Sequence, residues 1–280
     1  MEPLDFDETT RWVETPEYKL HYHEAGSGPT FILLHGSGPG VSGWSNFHGN
    51  FPVFAEHFRT IILDMPGFGL SSKPEFSKAY PQHAADATVA LMDALDIPSA
   101  HLLGNSMGGY VASELALSHP DRADRLVMMG PGGLFVPVTS PDRSEGATAL
   151  MAFMMDPTRE KMVAWVDTMV ANKDVISDEL IDQRLANALQ PGVLQAAGEI
   201  FGSLAQYPRD VPLFALVDRI QHPTLITWGR DDRMLPLDGA LLAARRMPNV
   251  ELHTFANCGH WAQVERKYEF ERIVIEFLTR

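Results

Sequence analysis

A serine set between glycines, Gly104-Asn105-Ser106-Met107-Gly108, follows the apolar run at 101–103 and opens a stretch of helical character. A strand-to-helix turn this tight needs glycine beside the serine. It lifts the hydroxyl above the strand end, next to the unpaired N–H groups of the helix start. A hydroxyl so placed is a candidate nucleophile if a base takes its proton and a carboxylate orients the base. With 22 glycines in the chain, the pentapeptide alone says little; its strand–turn–helix context gives it weight. Downstream, Trp228-Gly229-Arg230-Asp231-Asp232 follows one apolar run, and Asn257-Cys258-Gly259-His260 follows the last. Serine, then aspartate, then histidine is the chain order of a triad built on successive strand ends. Spacing does not separate Asp231 from Asp232. The oxyanion formed by such a serine needs two backbone N–H groups. Met107 supplies one, and Ser37 of the loop at 35–40 is the expected source of the other. A glycine-rich loop can instead cradle phosphate, but the lysine and hydroxyl of a phosphate-binding loop are missing here.

These residues need elements that bring strand ends to one edge. Tyr18 to Glu24 alternates in strand fashion, while Thr30–Leu34 and Thr60–Leu63 are compact apolar runs ending in loops at His35-Gly36 and 64–69. Gln82 to Leu95 has helical spacing, with Ala85, Val89, Met92 and Leu95 on one face. After the helix from Met107 to about Ser118 comes a strand at 125–129. Buried strands alternating with helices predict an α/β protein with a mostly parallel, doubly wound sheet, and chemistry beyond its carboxyl edge. The alternation stops near Gly132 and resumes at Pro223–Trp228. The chain therefore divides into a first core part (1–135), an inserted helical cap (136–210) and a second core part (211–280). In the cap, Met151, Met154, Met155, Met162 and Met169 are expected to fill an irregular core. Val250–Phe255 reads as the last strand and Lys267–Leu278 as the last helix.

Composition sets the outer limits. The 280 residues carry a formal charge of −14, which disfavours nucleic acid and anionic membrane as partners. An anionic substrate then needs a local cation. A secretory leader and a bilayer-spanning run are both absent from the expectation. Cys258 is the only cysteine, so no intrachain disulfide can form, which fits a cytoplasmic location. The thiol is expected to be a small buried filler.

With these motifs in place, the chain resembles the α/β-hydrolase fold over nearly its whole length. More narrowly, it resembles the meta-cleavage product hydrolases, which cut carbon–carbon bonds in ring-opened aromatic compounds. That likeness rests on the run at 35–40 (HGSGPG) with Trp44-Ser45-Asn46 behind it, on Gly104–Gly109, on Met129-Gly130-Pro131-Gly132-Gly133, and on Gly259-His260-Trp261. The cap segment Ile176–Leu180 leading to Arg184 belongs to the same likeness. The resemblance favours Asp232 over Asp231. It implies that Arg184 receives the carboxylate of a 2-hydroxy-6-oxo-dienoate, and that Asn46, Asn105, Trp261 and Gly38 help hold the oxygen-bearing end. It implies no metal and no organic cofactor. Such hydrolases are often homo-oligomers, so dimer and tetramer both stay open.

The bland alternatives are specific. Arg184 would pair with Asp182 or Glu179 on a wet helix face, and the two asparagines would only shape turns. A carboxylesterase or lactonase would use the same Ser106, Asp232 and His260. A catalytically silent ligand-binding homologue would keep the scaffold alone. Fold-sharing dehalogenases and epoxide hydrolases need an aspartate where position 106 is serine.

Overall fold

The computed structural model describes residues 4–134 and 144–280. Its strands are Thr10–Glu14 (β1), Lys19–Ala25 (β2), Thr30–Leu34 (β3), Arg59–Leu63 (β4), Ala100–Asn105 (β5), Ala123–Met129 (β6), Thr224–Gly229 (β7) and Val250–Phe255 (β8). They form one sheet in the order β1-β2-β4-β3-β5-β6-β7-β8. β1 and β2 enter antiparallel, and every pairing from β4 to β8 is parallel. The chain leaves β3 for β4 on one side and later places β5 on the other, so a crevice opens beyond the β3 and β5 ends. Ser37 follows β3, Ser106 follows β5, Gly130 follows β6, Asp232 follows β7 and His260 follows β8. All lie at one edge of the sheet.

Burial on both faces explains the apolar runs. In β3, Ile32 and Leu34 enter one core while Phe31 and Leu33 enter the other, as the two-residue strand period requires. The helix read from Gln82 starts at Tyr80, because Pro81 in its first turn costs no helical hydrogen bond. The last helix spans Lys267–Leu278 as expected.

β2 departs from the alternation expected of it: Leu20, His21, Tyr22 and His23 are all buried. The cause is an extra layer that the sequence reading did not include. A short helix, Phe6–Thr9, capped by Asp5, lies over the strand. The Phe6 ring meets both histidines, and Trp44 meets His23 at 4.6 Å. His21 Nδ1 donates to Asp64 (2.8 Å), and Thr9 Oγ1 bonds His23 Nδ1 (3.0 Å).

Among the described residues, four α-helices stand between β6 and β7: Glu145–Met155, Arg159–Asp167, Asp178–Ala188 and Val193–Gln206. Ser144, Thr158 and Ser177 cap the first three by accepting backbone N–H bonds. Leu150, Phe153, Met162, Trp165, Val166, Met169, Val170 and Ile181 give them a core of their own. The expected boundary at 135/136 lies outside the described residues. The methionine expectation needs correcting in part. Met162 and Met169 are buried, but Met151 and Met155 face solvent, on one exposed stripe at i and i+4.

His23 makes folding sensitive to acid. Burial, then repulsion from His21, pushes its pKa from the usual 6.5 down to about 4. Between those values the unfolded chain binds the proton more readily. Stability is therefore full above about pH 6.5, falls as the pH drops, and stops falling on this account below about 4. Burial also holds His35, His83 and His101 below their usual range, in the same sense. Urea midpoints measured from pH 7 to pH 4 should decline, and His23→Phe should make that decline shallower. An equal slope in the variant would remove His23 from this account.

Candidate active site

Ser106 sits at φ 54°, ψ −113°, a conformation that side chains rarely adopt. Close backbone contact holds it there. A Cβ on Gly104 would run into the backbone of Gly108 and Gly109, and one on Gly108 into the Leu34 carbonyl. Four hydrogen bonds brace the turn. Ser106 N–H donates to Met129 O (2.9 Å), and its carbonyl accepts from Gly109 (3.0 Å), Tyr110 (3.2 Å) and Gly132 (2.8 Å). The hydroxyl is thus fixed where β5, β6 and the helix Met107–Ser118 meet.

The structure separates the two aspartates. Asp232 Oδ2 accepts from His260 Nδ1 at 2.7 Å, with both side chains almost fully buried. Asp232 Oδ1 accepts the N–H groups of Met234 (2.8 Å) and Leu235 (2.9 Å), so the carboxylate is oriented and cannot turn away. Asp231 instead faces Arg230 near the surface. Because Nδ1 gives its proton to Asp232, Nε2 is left as the basic nitrogen. No hydrogen bond joins Nε2 to Ser106 Oγ in this conformation among the described residues. The two sides meet through Gly130, next to the Met129 carbonyl that holds Ser106. A Cβ there would lie 3.1 Å from the imidazole and 3.3 Å from Asp232 Oδ2. Catalytic bonds of this type are often loose before substrate enters.

The N–H groups of Ser37 and Met107 donate to no protein acceptor among the described residues. His35 explains how the first is held. Met65 N–H donates to His35 Nε2 (3.0 Å), so Nδ1 carries the proton and donates to Gly36 O (2.6 Å). Burial keeps this imidazole neutral by lowering its pKa. Asn46 Oδ1 accepts Gly36 N–H at 2.7 Å, so this acceptor is spent on the loop. Asn105 Nδ2 donates to Met129 O (3.3 Å) and spans the ends of β5 and β6.

Arg184 does not pair with Asp182 or Glu179. Arg159 takes Asp182 and Asp178, and no carboxylate reaches Arg184 among the described residues. Its guanidinium lies between two indoles, 4.6 Å from Trp165 and 5.3 Å from Trp261. Its Nε is enclosed without a partner. Burial lowers its pKa only to about 10, so the cation persists at neutral pH. Gly38 lies against Trp165. Cys258 is fully buried, and burial first of all pushes its thiol pKa up, which leaves it unreactive.

Several positioning groups were not anticipated. Glu265 accepts Gly259 N–H (2.7 Å) with one oxygen, and Ala171 and Asn172 N–H (2.8 Å each) with the other. Met169 O accepts the N–H groups of His260 (2.7 Å) and Trp261 (3.2 Å). Arg233 reaches the carbonyls of Asp167 and Val170 and the carboxylate of Glu145. The inserted helices are thereby tied to the loops carrying Asp232 and His260. Gln263 Nε2 donates to Asn46 O (3.4 Å), and Asn50 Nδ2 to Gln263 O (3.1 Å). The only sequence signal was a glutamate five residues after His260.

A family model for the alpha/beta hydrolase fold matches residues 29–195 and 197–267. The chain belongs to the α/β-hydrolase family. Within it, the chain groups with the meta-cleavage product hydrolases. It is 40% identical over 271 residues to a 2-hydroxy-6-oxononadienedioate/2-hydroxy-6-oxononatrienedioate hydrolase of Burkholderia vietnamiensis, covering 94% of this chain and 92% of that one. It is 37% identical over 290 residues to a 2-hydroxy-6-oxo-6-phenylhexa-2,4-dienoate hydrolase of Burkholderia cepacia, covering 100% and 99%. Among solved structures, a variant of the meta-cleavage product hydrolase CumD superposes with a TM-score of 0.86 at 32% identity, covering 97% of this chain and 98% of that one.

Two outcomes test the geometry. A fluorophosphonate should label Ser106, with no labelling in Ser106→Ala and labelling slower by a factor of roughly 10³–10⁴ in Asp232→Asn, where the imidazole tautomer is wrong. Glu265→Ala should slow labelling about tenfold or more by loosening the His260 loop, since small displacements are costly in rate. Unchanged labelling in Glu265→Ala would show that Met169 alone suffices to hold that loop.

Proposed function

We propose that this chain hydrolyses the carbon–carbon bond between C5 and C6 of a 2-hydroxy-6-oxo-hexa-2,4-dienoate formed by ring fission of an aromatic compound. The observation that carries the reading to this site is Arg184, whose guanidinium has no carboxylate partner among the described residues and lies 5.3 Å from the ring of Trp261, the residue after His260. Relatives named as hydrolases of such dienoates match over nearly the whole chain. The helices between 145 and 206 act as the cap of the 136–210 insertion and bring Arg184 over the sheet edge.

The chemistry follows from the positions. Arg184 receives the C1 carboxylate, with Asn46, Asn105, Trp261 and Gly38 helping to hold the oxygen-bearing end. A proton moves from the 2-hydroxyl to C5, assisted by His260, and the dienol becomes a ketone that can accept an electron pair. Ser106 Oγ then attacks C6 while its proton passes to His260 Nε2, and Asp232 stabilises the imidazolium. The N–H groups of Ser37 and Met107 hold the oxyanion. When the tetrahedral species collapses, the C5–C6 electron pair is delocalised into the 2-keto group, and His260 returns the proton to the leaving fragment. Water, deprotonated by His260, releases the carboxylic acid from Ser106.

Each step uses residues of this chain. A yellow dienoate should bleach with wild-type protein, and Ser106→Ala should abolish bleaching. Arg184→Ala should raise KM by about 10–150-fold, the equivalent of ~1.5–3 kcal/mol for hydrogen bonds to a charged group. Loss of esterase activity equal to the loss on the dienoate would deny Arg184 a carboxylate-binding role. A p-nitrophenyl ester turned over faster than every dienoate tried would favour the carboxylesterase reading.

A further inference from the structure

Trp165 is fully buried on the helix Arg159–Asp167, and its indole Nε1–H has no acceptor among the described residues. Two neighbours show where that N–H lies. The Cη2 and Cζ2 edge of the ring abuts Gly38, closely enough that any Cβ there would collide with it. Gly38 itself sits at φ +124°, so glycine is required there twice over. In an indole, Nε1 is two bonds from Cζ2, which places the unpartnered donor beside the loop bearing the Ser37 N–H. The Arg184 guanidinium carbon lies 4.6 Å from the ring. Phe153 stacks against the ring at 5.9 Å and 26°, restricting its rotation.

Two buried donors, Trp165 Nε1 and Arg184 Nε, thus have no acceptor among the described residues, on side chains that pack with the guanidinium carbon 4.6 Å from the indole ring. An interior seldom leaves such donors unmatched. The pair suits a group that only accepts: a carboxylate or an enolate oxygen fits both, and an ammonium or a lone hydroxyl proton fits neither. We infer that Trp165 is a substrate-contacting residue whose Nε1–H donates to an oxygen at the anionic end of the dienoate, while its ring face holds the Arg184 guanidinium opposite Trp261. This rests on the dienoate reading above and adds to it a second donor that selects acceptor-only substrate ends.

The test compares kcat/KM for a dienoate with kcat/KM for p-nitrophenyl acetate, which lacks the anionic end. It uses wild type, Trp165→Phe, and protein carrying benzothienylalanine, the sulfur isostere of tryptophan, at position 165. The isostere keeps ring and volume and removes only the N–H. In both variants the dienoate-to-ester ratio should fall about tenfold or more, chiefly through KM. A second readout uses ¹⁵N-labelled indoles in Ser106→Ala protein. The Trp165 Nε1–H resonance, assigned by its loss on Trp165→Phe, should move downfield when the dienoate is added. A ratio within twofold of wild type in the isostere protein, with normal bleaching by wild type, overturns the inference alone. Failure of wild type to bleach the dienoate, with no binding to Ser106→Ala, overturns the dienoate reading and the inference with it.

Discussion

Everything at the sheet edge depends on how closely the backbone approaches itself around Ser106. Gly104 and Gly108 let the start of the helix Met107–Ser118 settle onto the ends of β3 and β5. That approach forces Ser106 to φ 54°. A residue in such a region costs of order 1–3 kcal/mol, which only a well-braced surrounding can offset. The four hydrogen bonds at Ser106 N and O provide that bracing. The same approach leaves Met107 N–H without a protein acceptor among the described residues, since no helical carbonyl precedes it. The position of the Ser106 hydroxyl and the unpaired Met107 N–H are thus two consequences of one contact.

The remaining functional groups are placed by loops, and loops hold position only where their polar backbone is satisfied. A neutral His35 joins the loop at 35–40 to the β4 loop through two bonds of opposite sense. Asp64 takes N–H groups from Gly43 and Leu70 besides the His21 proton, so one buried carboxylate aligns the segment carrying Trp44 and Asn46. Burial alone would raise the Asp64 pKa; the hydrogen bonds from His21 and Leu70 overcome it and hold the carboxyl below its usual range. Glu265 and the Met169 carbonyl do the corresponding work for His260. The loops carrying Ser37 and His260 are therefore stiffened by buried polar contacts behind them.

The sequence made the scaffold legible because glycines, apolar runs and strand-end residues report local constraints. Gly104 and Gly108 announced a turn, and the runs at 30–34 and 60–63 announced buried strands; the structure has both. The helical segment between β6 and β7 was visible as a break in alternation. What stayed hidden depends on long-range neighbours. The burial of His21 and His23 follows from a helix at Phe6–Thr9 that carries no strong signal of its own. The choice of Asp232 over Asp231 rested on resemblance, and the geometry supports it through a bond to a residue 28 positions away. Glu265 serves three N–H groups, two of them more than ninety residues distant. No periodicity encodes such a contact.

Charge gives the last connection. With 36 acidic and 22 basic side chains, almost any exposed arginine can find a carboxylate, and Arg159 finds two. Arg184 escapes that fate because aromatic faces, rather than acids, surround it. A cation over an indole gains electrostatic support without neutralisation, so its charge remains available to a bound anion. The negative surface repels such an anion only weakly at a distance, since screening at physiological salt limits that field to about 8 Å. Within a few ångströms of the guanidinium screening is weaker and the local cation dominates. The overall charge of the chain and an anionic substrate are therefore compatible, provided the two indoles keep acids away from one guanidinium.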